Sequence, residues 1–527
     1  MKSLYLTPEC APFASEGGVG VVARDLSPAL AEHGVEVTVV MPRHGGVLPK
    51  FVEPIAEFKY SISWCGKQEQ VRVYRHTSPH SNVLFVENAT HFSGHKVYNF
   101  DAIPFESDVR RYSFFAKACL ELVRKLQPDI AHINDWTGGY LFGWMEAENR
   151  EAEAAGLPKP FPQRRVMSIH NIGYQGQTWK GRIDQTGFQD LMQHPAIGPL
   201  FDDPRPAFDC VNPMRLALEL ADAVNAVSPN YADEITRPEN TDAYFSGGQG
   251  LESVAQRLRD TGRLIGILNG MNYPTAARSL NAQQEFEKLL IRKREEKIAL
   301  SRYFANPQGV LLGFVGRAVE QKLKLLTDQL HGRSVLEHIL DMPNVNVLVV
   351  ASGEAEYEQF LTSLAIERFQ DARSYDDLRT APRRRNFAAF IGHDPQMGRR
   401  VQLGSDVFLM PSVFEPCGIS QLESMSAATP PLVRSTGGLD DTVIPHWELN
   451  GTGFKFDGAS RDEVLQGLVN IVHEAAHLVC HSPDAFRTLQ WNAYQARFPW
   501  SDSALQYRDK LYTAIGSPSC GPTHRSV

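Results

Sequence analysis

The chain has 527 residues, of which 43% are hydrophobic, 10% aromatic and 22% charged, enough apolar material for large cores and too much for a disordered chain. Lysine and arginine total 53 against 61 acidic residues, a net charge of −8, which argues against a phosphate-backbone binder and so against nucleic acid as a partner. The seven cysteines (Cys10, Cys65, Cys119, Cys210, Cys417, Cys480, Cys520) are scattered and contain no CxxC pair. That is the pattern of reduced thiols in a cytoplasmic protein. Met1 to Phe13 lacks the apolar core of a signal peptide, and the longest apolar run, Val345 to Ala351, is far too short to span a membrane.

In chain order, Ser3 to Thr7 reads as a strand, followed by the glycine loop Gly17 to Gly20, a helical stretch from Val21 to His33, and a second strand from Val35 to Met41. Strands are also expected at Asp129 to Ile133 and Val166 to Ile169. The grammar restarts with a strand at Val310 to Val315, a helical stretch holding Gln321 to Leu330, and strands at Val345 to Ala351, Asn386 to Ile391, Val407 to Met410 and Pro431 to Arg434. Continuous Val/Leu/Ile runs mark parallel strands buried on both faces. The expectation is an α/β protein of two doubly wound, Rossmann-like domains facing a cleft: 1–270, a connecting helical segment 271–308, 309–498, a helix over 499–515 crossing back to the first domain, and a tail over 516–527.

Four groups of residues stand where open parallel sheets bind ligands. The glycine loop can present backbone N–H groups to an anion; a plain tight turn is the alternative. His170 and Asn171 follow the strand ending at Ile169, and Asp135 and Trp136 follow the strand ending at Ile133. Strand-end polar groups point into a cleft, although a satisfied histidine, an N-cap and a packing aromatic explain them equally well. Arg317 and Lys322, five residues apart, can neutralise a diphosphate leaving group without a metal, or be solvated surface charge. In FEPCGISQLE (414–423), Glu415 and Glu423 are carboxylates suited to polyol hydroxyls, or helix N-terminal acids complementing the dipole. Cys417 has no histidine beside it in sequence and reads as a packing residue.

Together these motifs resemble the bacterial glycogen synthase and plant starch synthase family, retaining glucosyltransferases of the GT-B fold. The resemblance runs from Met1 to about Ile515. It is carried by GGVG (17–20), PDIAHINDW (128–136), IHNIGYQG (169–176), ADAVNAVSPNYADEI (221–235), GRLIGILNG (262–270), GRAVEQK (316–322), PSVFEPCGISQLE (411–423) and STGGLDDTV (435–443). It implies glucose transfer from a nucleotide-sugar donor, ADP-glucose, to the non-reducing end of an α-1,4-glucan acceptor, with no cofactor and no metal. By motif position, Arg317 and Lys322 would bind the diphosphate with the Gly18 amide, and His170 would contact the donor glucose. Glu415 and the Cys417–Gly418 backbone would hold its hydroxyls, with Ile419 and Ser420 beside them. Asp135, Asn171 and Asn212 would line the sugar and acceptor side.

This sequence departs from the family pattern on the donor side. Ser15 stands in place of a lysine and Val19 of a leucine, beside Gly17, and Gly20-Val21-Val22 replaces Gly-Asp-Val. His393 replaces a tyrosine expected against the base, and Glu423 replaces a tyrosine, restoring the Glu-x7-Glu of wider GT-B transferases. The residues leave open another donor base (UDP or GDP), a small acceptor, or a silent glucan-binding homologue; the intact Arg317, Lys322, His170 and Glu415 argue against silence. The sequence carries no signal for an oligomeric state.

Overall fold

The structure, a computed structural model, describes residues 1–46, 53–55, 58–78, 81–92, 94, 96–98, 105–205, 207–273, 282–370 and 385–513. The expected tail 516–527, Ile515, Cys520 and part of the 271–308 connection lie outside them. The six remaining cysteines are free thiols, and no helix among the described residues is long and apolar enough to cross a membrane.

Two parallel sheets dominate. The first contains β1 (Lys2–Leu6), β2 (Glu36–Pro42), β3 (Ser81–Glu87), β4 (Ile130–Asn134), β5 (Arg164–Ile169), β6 (Ala223–Ala226) and β7 (Leu264–Gly266), in spatial order β3-β2-β1-β4-β5-β6-β7. Antiparallel strands Lys67–Ser78, Tyr60–Trp64 and Glu53–Pro54 extend it beyond β3. The second contains β8 (Val310–Ala318), β9 (Val345–Gly353), β10 (Phe387–Ile391), β11 (Val407–Met410), β12 (Pro431–Arg434) and β13 (Phe454–Phe456), in order β10-β9-β8-β11-β12-β13. The apolar runs are buried along their length, as helices on both faces require: β4, β6, β11 and β12 have no exposed residue.

Each sheet starts at its centre, winds outward through two strands, then reverses. That creates one switch point between β1 and β4 and another between β8 and β11. Loops leaving adjacent strands diverge there and leave a crevice at the carboxyl edge. The carboxyl ends of these four strands and the segments following them hold Glu9, Asp135, Arg317 and Glu415.

The chain passes between the two bodies twice, and the crossings run side by side. Met271 N donates to Phe498 O (2.7 Å), and Phe498 N donates to the Tyr273 hydroxyl (3.0 Å). After the second crossing, helix Trp500–Gln506 and a π-helical turn, Tyr507–Tyr512, return to the first body. There Trp500, Ala504, Tyr507 and Leu511 share a core with Tyr5, Val22 and Leu26. The bodies also meet directly. Arg434 donates to the carbonyls of Ala243 (2.6 Å) and Tyr244 (2.8 Å), while Glu234 accepts from Gly437 N (2.8 Å).

Several elements differ from expectation. The first helix starts at Gly18, not Val21, because Gly17 is already its N-cap. The helix expected to reach Leu330 ends at Thr327; Gln329–Leu330 instead pairs with Arg333–Ser334 around a tight turn at His331–Gly332. The closing helix is α-helical only to Gln506 before widening into the π turn.

Candidate active site at the two switch points

On the first sheet the glycine loop is held from beneath by a residue the motifs did not single out. Glu9, buried just past β1, accepts hydrogen bonds on one carboxylate oxygen from the amides of Glu16 and Gly17 (the latter 3.1 Å). Burial raises its pKa, and these amides together with that of Gly20 oppose the rise. The carboxylate therefore fixes the entry to the first helix, leaving Gly17 and Gly18 exposed at the surface of the loop. Ser15 is exposed as well, its hydroxyl turned back on Gly17 O (3.3 Å). An acidic residue closing an apolar segment, eight positions before a glycine pair, is the signal that could have revealed Glu9.

Asp135 follows β4 with positive φ (50°), and its carboxylate turns toward the end of β5. One oxygen accepts from the amides of His170 (2.7 Å) and Asn171 (3.3 Å). Removal from water pushes its pKa up to about 7 against those two donors, with a further push from Glu9. His170 is half-buried, and the loss of hydration holds its pKa down to about 4, so the ring is neutral at pH 7.

The tautomer of His170 follows from its partner. Asn134 donates through Nδ2 to Leu6 O (2.8 Å) and accepts through Oδ1 from the Tyr5 hydroxyl (2.8 Å), so its oxygen is an acceptor toward His170 Nε2 (2.8 Å). His170 thus carries its proton on Nε2, and Nδ1 keeps a lone pair with no partner among the described residues. Asn171 Oδ1 accepts from Gly173 N (2.9 Å), leaving its amide group at the same edge.

Trp136 is a packing residue: Gly176 lies against its ring, where an added Cβ would come within 2.3 Å. Asn212 is fully buried as an N-cap, accepting from Arg215 N (3.0 Å) and donating to Gln175 (2.6 Å) and Asp203 (3.1 Å). Both ends of its side-chain amide are thus engaged within the protein.

On the second sheet, Arg317 is exposed at the carboxyl end of β8 and makes no ion pair among the described residues. Lys322, in the first turn of helix Glu320–Thr327, pairs with the buried carboxylate of Glu415. The same Glu415 oxygen accepts from the Ser412 hydroxyl (3.1 Å). Past Glu415 the chain turns through Gly418 and enters helix Ser420–Ser426 at Ile419, all three of Gly418, Ile419 and Ser420 half-buried. The Cys417 thiol is buried in the apolar cluster of the first body, which raises its pKa to about 12. It therefore packs between the bodies and is no nucleophile. Glu423 is exposed and accepts from Gln402 (2.9 Å), on the helix that follows His393. His393 is exposed, two residues past β10.

The two halves are joined at this point. The Ser228 hydroxyl, just beyond β6, donates to Pro416 O (2.6 Å), and Gly438 N donates to Glu415 O (3.0 Å). These contacts hold the Glu415 loop at the carboxyl edge of the first sheet. The structure thus brings Gly17, Gly18, Asp135, His170 and Asn171 to one switch point, and Arg317, Lys322, Glu415 and residues 417–420 to the other. Among the described residues no group of three or more His, Cys, Asp and Glu side chains could hold a metal ion. Cations at the switch point of a parallel sheet, beside a buried carboxylate, suit departure of an anionic group from a polyhydroxylated substrate.

Comparison with known proteins agrees with this geometry. Residues 2–257 match the family model described as starch synthase catalytic domain, and residues 385–477 match glycosyl transferases group 1. A glycogen synthase from Desulfitobacterium hafniense is 31% identical over 97% of this chain and 98% of its own. One from Thermotoga maritima is 32% identical over 98% and 99%. Among solved structures, the catalytic domain of starch synthase IV from Arabidopsis thaliana, bound to ADP and acarbose, superposes with a TM-score of 0.74 at 25% identity, covering 97% of this chain and 98% of that one. A sucrose-phosphate synthase from Thermosynechococcus elongatus shares the fold at a TM-score of 0.54. Full-length sequence similarity and two doubly wound sheets agree: the chain belongs to the glycogen and starch synthase family of GT-B glycosyltransferases.

Proposed function

We propose that the chain transfers glucose from ADP-glucose, with retention of configuration, to the non-reducing end of an α-1,4-glucan in the cytoplasm. The observation that carries this reading is the Lys322–Glu415 pair at the switch point of the second sheet, where Arg317 makes no ion pair among the described residues, with the Glu415 loop tied through Pro416 and Ser228 to the first sheet, which carries Asp135 and His170. The ADP in the starch synthase IV structure supports the choice of donor base. In this reading residues 1–270 supply the acceptor-side wall and residues 309–498 the donor side. The segments 271–308 and 499–515 join them, since β7 ends at Gly266 and β8 begins at Val310.

The chemistry follows from what each group can do. Arg317 and Lys322 stabilise the negative charge that develops on the departing diphosphate, assisted by the exposed Gly18 amide. When Lys322 turns to the phosphate, Glu415 is released to accept hydroxyl protons of the donor glucose. His170, neutral and with an open Nδ1, accepts a sugar hydroxyl. The Asp135 carboxylate offsets positive charge on an oxocarbenium-like centre. The Cys417 thiol is buried in an apolar cluster, and Glu415, still held by Ser412, is assigned to the sugar hydroxyls and not to the reacting carbon, so attack by the acceptor hydroxyl on the leaving-group face is favoured over a covalent glucosyl enzyme. Positioning and leaving-group stabilisation then carry the rate.

The test is a comparison of kcat/KM for ADP-, UDP- and GDP-glucose with a maltooligosaccharide acceptor. ADP-glucose is expected to lead. A preference for UDP- or GDP-glucose would assign Ser15, Val21, His393 and Glu423 to another donor, and elongation of a small non-glucan acceptor alone would remove the glucan assignment.

A further inference from the structure

We propose that Tyr507 and Tyr512, on the π turn that closes the chain, are positioning residues for His170: they lock a buried hydrogen-bonded chain under β4 and β5 that sets the height and orientation of that histidine. This rests on the reading of His170 as a sugar contact.

The π turn is the backbone device. Residues five apart on an α-helix point about 140° away from each other, whereas i→i+5 hydrogen bonding brings them onto one side. Over Tyr507–Tyr512 the two tyrosines accordingly reach the same side chain, His132 of β4. The His132 ring stacks on Tyr507 (centroids 6.0 Å, planes 29°) and stands nearly perpendicular to Tyr512 (5.7 Å, 87°). Tyr5 of β1 meets it edge-on (4.6 Å, 69°).

The hydrogen bonds among these groups form one continuous chain. Asn225 Oδ1 accepts from Ile267 N (3.0 Å), so its Nδ2 is the donor to the Tyr507 hydroxyl (2.7 Å). The Tyr507 hydroxyl in turn meets Ser168 Oγ (3.4 Å). Ser168 Oγ also meets His132 Nε2 (2.9 Å), and His132 Nδ1 meets the Tyr512 hydroxyl (2.7 Å), so one ring nitrogen donates and the other accepts along the chain. His132, Ser168, Asn225 and Tyr507 are completely shielded from solvent, so no water replaces a missing partner. Such a chain holds as a unit, and loss of one hydroxyl leaves a buried group unmatched.

The chain ends on the site through strand alternation. His132 and Asn134 lie on one face of β4, and Ser168 lies near the end of β5, two residues before His170, which follows the strand. Tyr5, packed against His132, donates to the same Asn134 oxygen that receives the His170 proton. Displacement of His132 is therefore passed to Asn134 and Tyr5, and displacement of Ser168 to the strand end that carries His170.

The test uses the full chain with Tyr512→Phe and Tyr507→Phe, each read two ways. Histidine-selective 15N NMR, assigned with His132→Gln and His170→Gln, reports ring tautomer and environment without any substrate. Glucose transfer is measured in the wild-type and His170→Ala backgrounds. In Tyr512→Phe the ring signals of both His132 and His170 shift, and kcat falls roughly three- to tenfold, the effect of one lost buried hydrogen bond, with donor KM unchanged. In the His170→Ala background that loss disappears. An unmoved His170 signal, or the same fold loss in both backgrounds, overturns the proposal. If Tyr512→Phe does not fold, Tyr507→Phe, which releases Asn225 and Ser168, answers the same question. A chain that transferred no glucose at all would remove the functional reading alone, and the His170 signal would still decide this one.

Discussion

The ammonium of Lys322 is ion-paired with the carboxylate of Glu415, two side chains 93 positions apart, at the switch point of the second sheet. In the proposed reaction the cation offered to a leaving diphosphate and the carboxylate offered to a sugar hydroxyl neutralise each other until a donor arrives. Both are then required: Lys322→Ala and Glu415→Ala should each lower turnover by a factor on the order of 10² or more, as loss of a preorganised charge does. Glu415→Gln separates the roles. It frees Lys322, so ADP should bind more tightly in calorimetry while kcat falls; weaker ADP binding would show that Glu415 serves the cation more than the sugar.

Asp135 carries a pH signature. Its pKa is raised to about 7, so between about 4 and 7 the folded chain keeps a proton that the unfolded chain has released. Its contribution to stability is thus full at low pH and is lost as pH rises through 7. Activity runs the other way, because the carboxylate that offsets a cationic transition state exists only above that value. The pH profile of kcat should fall on its acid side near pH 7, and Asp135→Asn should flatten that limb and lower the plateau. His170, held down to about 4, should leave no inflection between pH 5 and 9.

Glu9 is expected to act on donor binding more than on chemistry. It touches the loop amides and not the crevice cations, so Glu9→Ala frees the amides of Glu16 and Gly17 and lets the loop move. Donor KM should rise roughly tenfold, the scale of one charge-assisted hydrogen bond, with kcat within about twofold of wild type. An equal fall in kcat would place Glu9 in the chemical step.

Much of the fold was legible because buried parallel strands are written as uninterrupted apolar runs, as in Val345–Ala351. The strand Lys67–Ser78 was not, since it pairs antiparallel at an edge and alternates charged with apolar residues; nor was β6, whose four residues include Asn225 in the middle of the sheet. Spatial strand order is a property of crossovers and leaves no mark in any one segment. At the site, Glu415 and Lys322 stood out by motif, but their pairing joins segments 93 positions apart that follow two adjacent strands, β8 and β11. Asn212 reads as a polar residue near the sugar side, and only the folded chain reveals its amide buried as an N-cap.

Gly437 links the body interface to the site. Its φ is +44°, and a Cβ would come within 2.0 Å of the Glu415 carbonyl oxygen. Gly437→Ala should therefore destabilise the chain by about 1–3 kcal/mol through overpacking and displace the Glu415 loop, lowering both Tm and kcat. A lower Tm with unchanged kcat would show that the loop tolerates the shift.

The central claim is glucose transfer across the two switch points, and the most direct measurement follows radiolabelled glucose from ADP-glucose into glycogen. The account predicts label on the polymer, released as maltose by digestion from the non-reducing ends, and lost when Lys322 or Glu415 is replaced by alanine. Nucleotide binding without label transfer from ADP-, UDP- or GDP-glucose would contradict it.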